Sequence, residues 1–271
     1  MRCRRCLSLF LLFVAASCRT GRDYAVTDAP RYFGAPDDTT TRRCVRPCEI
    51  RIVSFNIEFA KRIDGAIDLL RSDSALRSAD ILLLQEMDAE GTKRIATALG
   101  MWHIYYPAIY HKRSRRDFGN SVLSRFPIVG DSKLILPRPS RYAGTHRIAT
   151  AATVRIGRSS VRVYSTHLGT VADLSSRRRR DQLRAITADA EKHASVVIGG
   201  DLNDESVARV AERSGYAWPT RYGPRTARFG RLDHILMKGL KSPRANISGT
   251  VVQSRGVSDH HPVWARALLE N

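Results

Sequence analysis

The sequence predicts an α/β fold in which two mixed β-sheets pack face to face and helices cover their outer faces, a four-layer sandwich. Three observations predict it. Short apolar runs alternate with helical segments along the chain, and several of these runs follow one another without a helix between them. The chain has 271 residues, 43% of them hydrophobic, which is enough for one large core.

The strands are predicted from short apolar or alternating runs. Ile52–Phe55 is an apolar run with one serine, Ile81–Leu84 is an unbroken apolar run, Val161–Thr166 alternates, and Ser195–Ile198 is β-branched and ends at two glycines. The pattern predicts strands over residues 51–57, 80–85, 102–107, 119–124, 146–167, 195–200, 231–237, 249–254 and 262–268. Helices are predicted over 63–78, 91–99 and 174–193, with a short one from residue 204.

Residues 1–18 predict an export signal. Three arginines at positions 2, 4 and 5 precede an apolar stretch over 7–16, which is too short to span a membrane as a stable helix. Ala15-Ala16-Ser17-Cys18 is similar to a bacterial lipobox, although Ala stands three residues before the cysteine where Leu is usual. Lipidation of Cys18 and a membrane anchor are therefore predicted, with ordinary cleavage and an unmodified cysteine as the alternative.

Residues 19–48 predict a polar linker, and residues 49–271 form the predicted folded domain. The linker carries Arg, Asp and Pro residues, which suit a tether between an anchor and a domain. Of the five cysteines, Cys44 and Cys48 remain once the signal and Cys18 are set aside. In an oxidising compartment they would form a small disulfide loop, and two free thiols are the alternative.

The polar pair Asp201 and Asn203 follows a predicted buried strand. Residues two apart on an extended chain point the same way, so the carboxylate and the amide can enter one cleft. Such a pair suits an attacking water or a hydrated Mg²⁺, which takes one or two carboxylates and keeps several waters. The alternative is plain turn chemistry, because Gly, Asp and Asn are common in loops.

Asp259 and His260 form a second polar cluster just before Pro262. A histidine exchanges a proton near neutral pH, and an acidic neighbour can hold its orientation. The alternative is a surface pair without a role. A second such cluster in one predicted domain favours a catalytic function.

Four further polar residues stand at the ends of predicted strands. Asn56, Glu86 and His167 each end an apolar or alternating run, and Asp233 begins one. Polar groups at the ends of several strands are how α/β sheets build their sites. The sequence therefore predicts one metal or phosphate site made from distant segments.

In order and spacing, these motifs resemble the endonuclease/exonuclease/phosphatase superfamily, which includes deoxyribonuclease I, exonuclease III, neutral sphingomyelinases and inositol polyphosphate phosphatases. The resemblance runs from about Arg51 to about Leu268. It is carried by Ser-Phe-Asn56, Leu-Gln-Glu86, Thr-His167-Leu, Gly-Asp201-Leu-Asn203, Leu-Asp233-His and Ser-Asp259-His260.

The resemblance implies a metal site and its cofactor. Asn56 and Glu86 become metal-site residues, with Glu86 the direct carboxylate ligand, and Asp259 binds the metal or one of its ligands. The implied metal is Mg²⁺, with Mn²⁺ as a substitute. Whether one or two metals act, and which residue is the general base, stays open.

The resemblance also implies the catalytic and substrate-binding groups. Asp201 and Asn203 orient the nucleophilic water and hold the phosphate, while His260 is the catalytic imidazole and Asp233 orients it. His167 contacts a phosphate oxygen or assists the leaving group. The implied substrate contacts are Asn120, Arg147 and Arg228.

The formal net charge of +19 favours an anionic partner. Basic residues cluster at 111–116, at Arg177–Arg180, and in a segment over 218–231 where four arginines alternate with Trp218, Tyr222 and Phe229. Arginines among aromatic residues suit a polyanion whose bases can stack. The alternative is a general arginine bias, with Arg177–Arg180 on the outer face of a helix.

Three functions follow from these observations. The favoured one is an exported, monomeric, Mg²⁺-dependent endonuclease acting on nucleic acid. The second is a phosphatase or a sphingomyelinase-like phosphodiesterase acting on an anionic lipid or an inositol phosphate, where a lipid anchor and a basic surface favour a membrane. The third is an inactive binding lipoprotein.

Overall fold

The computed structural model describes residues 21–27, 29–38, 48–112 and 114–269. Its strands are β1 Gly21–Asp23, β2 Tyr32–Gly34, β3 Cys48–Asn56, β4 Ile81–Met87, β5 Trp102–His111, β6 Arg116–Ser124, β7 Ile128–Ile135, β8 Ile148–Ile156, β9 Ser159–His167, β10 Val196–Asp201, β11 Asp233–Lys238, β12 Ser248–Thr250 and β13 Val263–Leu269. Its helices are α1 Ile63–Ser72, α2 Ala89–Leu99, α3 Ser176–Ala190 and α4 Glu205–Arg213, with a 3₁₀ turn at Glu58–Ala60. None of the helices in these ranges is long and apolar enough to cross a membrane.

Two sheets make up the framework. The larger has eight strands in the order β1-β5-β6-β4-β3-β13-β12, with β2 also paired to β5, and the smaller has five in the order β11-β10-β9-β8-β7. Both sheets are mixed, because β3 pairs with β4 and β9 with β10 in parallel while the other pairs are antiparallel. The predicted four-layer α/β sandwich is confirmed.

Strands buried on both faces explain the unbroken apolar runs of the sequence. Ile52 of β3 faces the core between the sheets, whereas its neighbour Val53 faces the layer formed with α1 and α2. In the smaller sheet, Val197 faces the inter-sheet core and Ile198 faces α3 and α4. Strands β3 and β10 therefore bury successive side chains in different layers.

The N-terminal segment differs from the predicted linker. Residues 21–23 and 32–34 are strands that pair antiparallel with β5, so this part of the chain packs on the domain. Two residues of β7 hold it there. Buried Lys133 donates to the backbone oxygens of Tyr24 and Ala29, at 3.0 and 2.7 Å, and Asp131 accepts two hydrogen bonds from Arg31.

The same contacts explain why β7 is missing from the predicted strands. Its polar Asp131 and Lys133 face the N-terminal segment, and they interrupt the apolar pattern that marks the other strands. The predicted strand over 146–167 is also wrong in detail. It is the hairpin β8–β9, which turns at Gly157, where φ is 61°.

The run Arg177–Arg180 is not a uniformly solvated helix face. Arg177 and Arg178 are exposed, but Arg179 is buried. Arg179 donates to the Asp204 carboxylate at 2.9 Å and so joins α3 to the start of α4. The predicted outer position is therefore wrong for this one arginine.

We expect Lys133→Met to loosen the N-terminal segment. The substitution leaves the backbone oxygens of Tyr24 and Ala29 without their ammonium donor, which costs about 1–3 kcal/mol. Urea unfolding should show this loss, and hydrogen exchange should quicken in the amides of β1. Lys192→Met, which removes an exposed ion pair within α3 and the turn after it, is the control and should change stability by less than about 1 kcal/mol. Unchanged hydrogen exchange in β1 would contradict the conclusion that Lys133 holds the N-terminal segment on the domain.

Candidate active site

Strand ends from both sheets meet at one edge of the sandwich. In the larger sheet Asn56 pairs with Gln85, and in the smaller one Asp201 pairs with His167 on one side and Asp233 on the other. The Asn56 amide then donates to the Asp201 carboxylate at 3.3 Å, across the gap between the sheets. The structure thus brings together residues that are up to 177 positions apart in the chain.

Glu86 is turned into the cleft by an irregularity of β4. The register shifts between Gln85 and Met87, and Glu86 has a left-handed φ of 58°. One carboxylate oxygen accepts from the Asn56 amide at 3.1 Å and the other from the Phe59 backbone N–H at 3.0 Å. Burial raises the pKa of the Glu86 carboxyl, and the Asn56 hydrogen bond opposes that shift.

The turn after β3 is strained. Glu58, Phe59 and Ala60 all have left-handed φ values, of 41°, 56° and 51°. A left-handed residue other than glycine costs roughly 1–2 kcal/mol. The site offsets part of this cost, because the Glu58 N–H donates to the Asn56 side-chain oxygen at 3.1 Å and the Phe59 N–H to Glu86.

Asp201 is buried at the end of β10 and is held by its own turn. Its Oδ1 accepts from the Asn203 backbone N–H at 2.9 Å, and the Asn203 amide donates to the Leu168 oxygen at 3.1 Å. Burial first, and then the charge of Asp233, raise the pKa of Asp201 to about 7. The preceding Gly200 has φ 149° and lies so close to the Thr166 backbone that a Cβ would stand 1.8 Å from its oxygen.

His260 lies between two carboxylates. Its Nδ1 lies 2.8 Å from Asp233 Oδ2, and its Nε2 lies 3.8 Å from Asp201 Oδ2. Burial alone would lower the pKa of His260, but the charge of Asp233, its hydrogen bond and the charge of Asp201 raise it to about 10. The imidazole is therefore held in its cationic form at neutral pH.

His167 has the opposite electrostatic environment. Its Nε2 lies 3.4 Å from Asp201 Oδ2 and its Nδ1 lies 3.7 Å from Glu86 Oε1. Burial, followed by the positive charges of Arg147 and His260, lowers the pKa of His167 well below its usual value. His167 is therefore a neutral imidazole next to a cationic one.

The predicted substrate contacts lie in three different environments. Asn120 is buried and donates to the Ile148 oxygen at 3.0 Å, while half-buried Arg147 lies over the Phe118 ring at 5.5 Å. Arg228 is exposed over Phe229, on a turn over 227–230 whose first residue bridges to His260. Arg147 therefore lies beside the site, and the turn that carries Arg228 adjoins His260.

Asp259 and the cysteines complete the predicted set. Asp259 is exposed, in contrast to its buried neighbour His260. Cys48 is disulfide-bonded, whereas Cys44 and Cys18 lie outside the described residues. The Cys44–Cys48 pairing and the lipidation of Cys18 stay predictions.

The Endonuclease/Exonuclease/phosphatase family model matches residues 53–260. The chain belongs to this family.

Solved structures with a similar fold include the following three. An endonuclease/exonuclease/phosphatase from Beutenbergia cavernae has TM-score 0.66 and 21% identity, covering 85% of this chain and 72% of that one. D. rerio TDP2 complexed with single-strand DNA product has TM-score 0.60 and 17% identity, covering 81% and 98%. Sphingomyelinase C from Streptomyces griseocarneus has TM-score 0.61 and 18% identity, covering 82% and 99%. No curated protein matches the sequence.

Members of the endonuclease/exonuclease/phosphatase family include nucleases, phosphatases and sphingomyelinases. They are generally hydrolases of phosphoric esters and typically use divalent metals. This chemistry agrees with the polar groups of the cleft, which are carboxylates, amides and imidazoles. The family assignment does not by itself choose among these substrates.

The residues fit a divalent cation. Glu86, Asp201 and Asp233 place three carboxylates in one cleft, and Oδ1 of Asp233 is buried without a hydrogen-bond partner among the described residues. Ligand atoms of Asp201, Asp233 and His260 lie within 4.8 Å of one another. Carboxylate oxygens are the ligands that Mg²⁺ prefers. Glu86 faces the same cleft but is not part of that group, and its role as the direct metal ligand stays a prediction.

Sequence reasoning missed two residues that hold the candidate site residues in place. The Ser258 hydroxyl donates to the Asn56 backbone oxygen at 2.7 Å and accepts from the His260 N–H at 3.0 Å. The Thr226 hydroxyl accepts from the Asp233 N–H at 3.1 Å. Ser258 stands inside the Ser-Asp-His motif and could have been found, whereas no local pattern marks Thr226.

We expect Asp201 to lower the stability of the metal-free protein as pH rises. Its folded pKa of about 7 lies above its usual value, so its contribution is present at low pH and is lost as pH rises toward 7. Between pH 4.5 and 6.5, in EDTA, the Tm of the wild type should fall by several degrees relative to that of Asp201→Asn. This fall corresponds to a loss of unfolding free energy on the order of 2 kcal/mol.

Two controls accompany this measurement. The exposed residue Asp64 gives a matched variant, Asp64→Asn, whose Tm should track the wild type over the same range. Saturating Mg²⁺ should reduce the Asp201 effect, because a cation favours the ionised carboxylate. A constant Tm difference between the wild type and Asp201→Asn would contradict the raised pKa.

Proposed function

We propose that this chain is an exported, Mg²⁺-dependent phosphodiesterase that hydrolyses nucleic acid by attack of water on phosphorus. The observation that carries the proposal is the convergence of Asn56, Glu86, Asp201 and His260 on one cleft between the sheets. A phosphodiester is anionic and repels a nucleophile until cations and hydrogen-bond donors neutralise its developing charge. This cleft contains both carboxylates for the nucleophile and donors for the phosphate.

The chain's own residues divide the chemistry between them. Asp201 is the acceptor for a proton of the attacking water, because its carboxylate is buried in the cleft beside His167 and His260. As the bond between phosphorus and the leaving oxygen breaks, cationic His260 donates a proton to that oxygen, and Asp233 holds its ring through Nδ1. Asn203 supplies an amide N–H beside Asp201, and neutral His167 contacts a second phosphate oxygen.

Glu86 would hold the metal, with Asn56 fixing the orientation of its carboxylate. The bound ion would supply positive charge to the phosphoryl oxygens. Arg147 adds a fixed cation on the same side of the cleft, since its charge acts on both Glu86 and His167. Together with cationic His260, they would balance the three carboxylates and the phosphodiester.

The surface around the cleft supports a polyanion with aromatic bases as substrate. Arg228 lies over Phe229 at 5.5 Å, on the turn that adjoins His260, and Arg221, which is paired with Glu212, lies over Tyr222 at 5.1 Å. Both rings are more than four-fifths exposed, so a stacked base could replace solvent on them. The net charge of +19 favours the approach of such a substrate.

We also propose that the protein is exported as a monomer and anchored through a lipid on Cys18. The basic and apolar stretches of residues 1–18 support this proposal. Intact-mass spectrometry of the membrane fraction should detect a diacylglyceryl-modified chain that begins at Cys18. An unmodified chain in the soluble fraction would refute the anchor, and light scattering in detergent tests the monomer.

A substrate panel tests the proposed activity. The full chain, purified in detergent, is offered plasmid DNA, RNA, sphingomyelin and inositol phosphates with Mg²⁺, Mn²⁺ or EDTA. We expect cleavage of nucleic acid with either metal and none in EDTA. Turnover of sphingomyelin or inositol phosphates without nucleic-acid cleavage would replace the proposed substrate, and turnover in EDTA would refute the mechanism.

We expect His260→Ala to lower kcat on nucleic acid by at least about 10²-fold, since a positioned proton donor contributes about 10²–10⁴-fold. The adjacent His261 gives a matched control, because its backbone N–H, not its ring, bonds to Thr226. His261→Ala should retain kcat within about threefold. Circular dichroism checks the fold of both variants, and near-normal activity of a folded His260→Ala protein would remove His260 from the mechanism.

A further inference from the structure

A row of aromatic rings leads from the surface to the catalytic centre. His111 contacts Phe59 with ring centroids 5.7 Å apart, Phe59 contacts Phe118 at 5.2 Å, and Phe118 contacts His167 at 5.8 Å. Exposure decreases from Phe59, which is 38% exposed, to Phe118 and His167, which are buried. The row therefore connects open solvent to an imidazole that lies 3.4 Å from Asp201.

The exposed ring of the row is fixed by the metal-site residues. Phe59 lies in the strained left-handed turn, and its backbone N–H binds the Glu86 carboxylate. Strain of this kind persists only where surrounding contacts over-determine it, and it clusters at functional positions. The position of the Phe59 ring is thus tied to that of the catalytic carboxylate.

Open space and basic side chains lie beside this ring, and Lys61, whose Nζ is 5.5 Å from the ring centroid, is paired with Glu58. One cavity of about 740 Å³ is lined by Phe59, Lys61, His111, Ser114 and Arg116. A second of about 220 Å³ shares Phe59 and His111 and extends to Phe118 and Arg147. An aromatic wall with cations beside it suits a flat, aromatic group that is attached to phosphates.

We propose that Phe59, with His111 and Phe118, is a stacking subsite for the nucleobase next to the scissile phosphate, and that it selects unpaired strands. The inference rests on the proposed function and names its substrate more narrowly. A base that stacks on Phe59 must have one face that no neighbouring base covers, and it must not be paired with a complementary strand. In a duplex both faces are already stacked, and extruding a base costs a few kcal/mol.

Binding without turnover tests the subsite directly. Fluorescence anisotropy in EDTA measures the Kd of the full chain, in detergent, for oligo(dT), for an equally long strand that lacks bases, and for a duplex. We expect oligo(dT) to bind more tightly than the strand without bases. Phe59→Leu should raise the Kd for oligo(dT) by about 10-fold and reduce that preference, because stacking contributes about 1–3 kcal/mol per base.

Two further variants separate stacking from structure. Phe59→Tyr keeps the ring and should restore the preference for bases. Phe33→Leu removes an equally exposed ring that packs on Trp102, at the other end of β5, and should leave the preference as in the wild type. Equal weakening of all three ligands by Phe59→Leu would indicate a structural role and overturn the proposal.

Turnover distinguishes this inference from the proposed function. Equal wild-type affinity for oligo(dT) and for the strand without bases would overturn the subsite, whatever is hydrolysed. A base preference that depends on Phe59, without cleavage of any strand in Mg²⁺, would support the subsite and refute the nuclease. Faster cleavage of oligo(dT) than of duplex would support both the subsite and the nuclease function, provided that Phe59→Leu loses this preference and Phe59→Tyr restores it.

Discussion

The Asn56 side chain links the two sheets at their functional edge, and the rest of the site is arranged around it. Its amide donates to Glu86 on its own sheet and to Asp201 on the opposite sheet, while its oxygen accepts from the turn that carries Phe59. Its backbone oxygen accepts from Ser258, which positions His260. One buried residue thus sets the relative positions of the carboxylates, the imidazole and the stacking ring, and the face-to-face packing of the sheets makes these contacts reachable.

Charge balance is the second constraint on this edge. Burial disfavours ionised carboxylates, so the pKa values of Glu86 and Asp201 rise, and the neighbouring acid adds to the shift at Asp201. Asp233 and Asp201 raise the pKa of His260 against the effect of burial, whereas burial, followed by the charges of Arg147 and His260, lowers the pKa of His167. Two imidazoles a few ångströms from one carboxylate therefore differ in charge because their neighbours differ. A divalent cation and an anionic phosphate would complete this balance.

Much of the fold and the list of polar residues could be predicted from the sequence, for a physical reason. Strands buried on both faces give unbroken apolar runs, and the polar residue that ends each run is visible in the chain. Runs such as that ending in Asn56 therefore marked both a strand and its functional residue. Elements that depend on distant partners gave no such signal. Strand β7 carries Asp131 and Lys133 because they bind the N-terminal segment, and β1 is short and polar because it pairs only at the edge of β5.

The candidate site also contains residues that the sequence does not mark, because their roles depend on distant partners. Thr226 is recognisable only once it stands beside Asp233, and Phe59 only once its ring is seen between His111 and Phe118.

The most direct test of the proposed metal and phosphate site is anomalous scattering from crystals soaked in Mn²⁺ and a phosphate ester. We expect a metal peak at the Glu86 carboxylate with the phosphate between it and His260. A metal peak remote from Glu86, or a phosphate bound away from His260, would contradict the account.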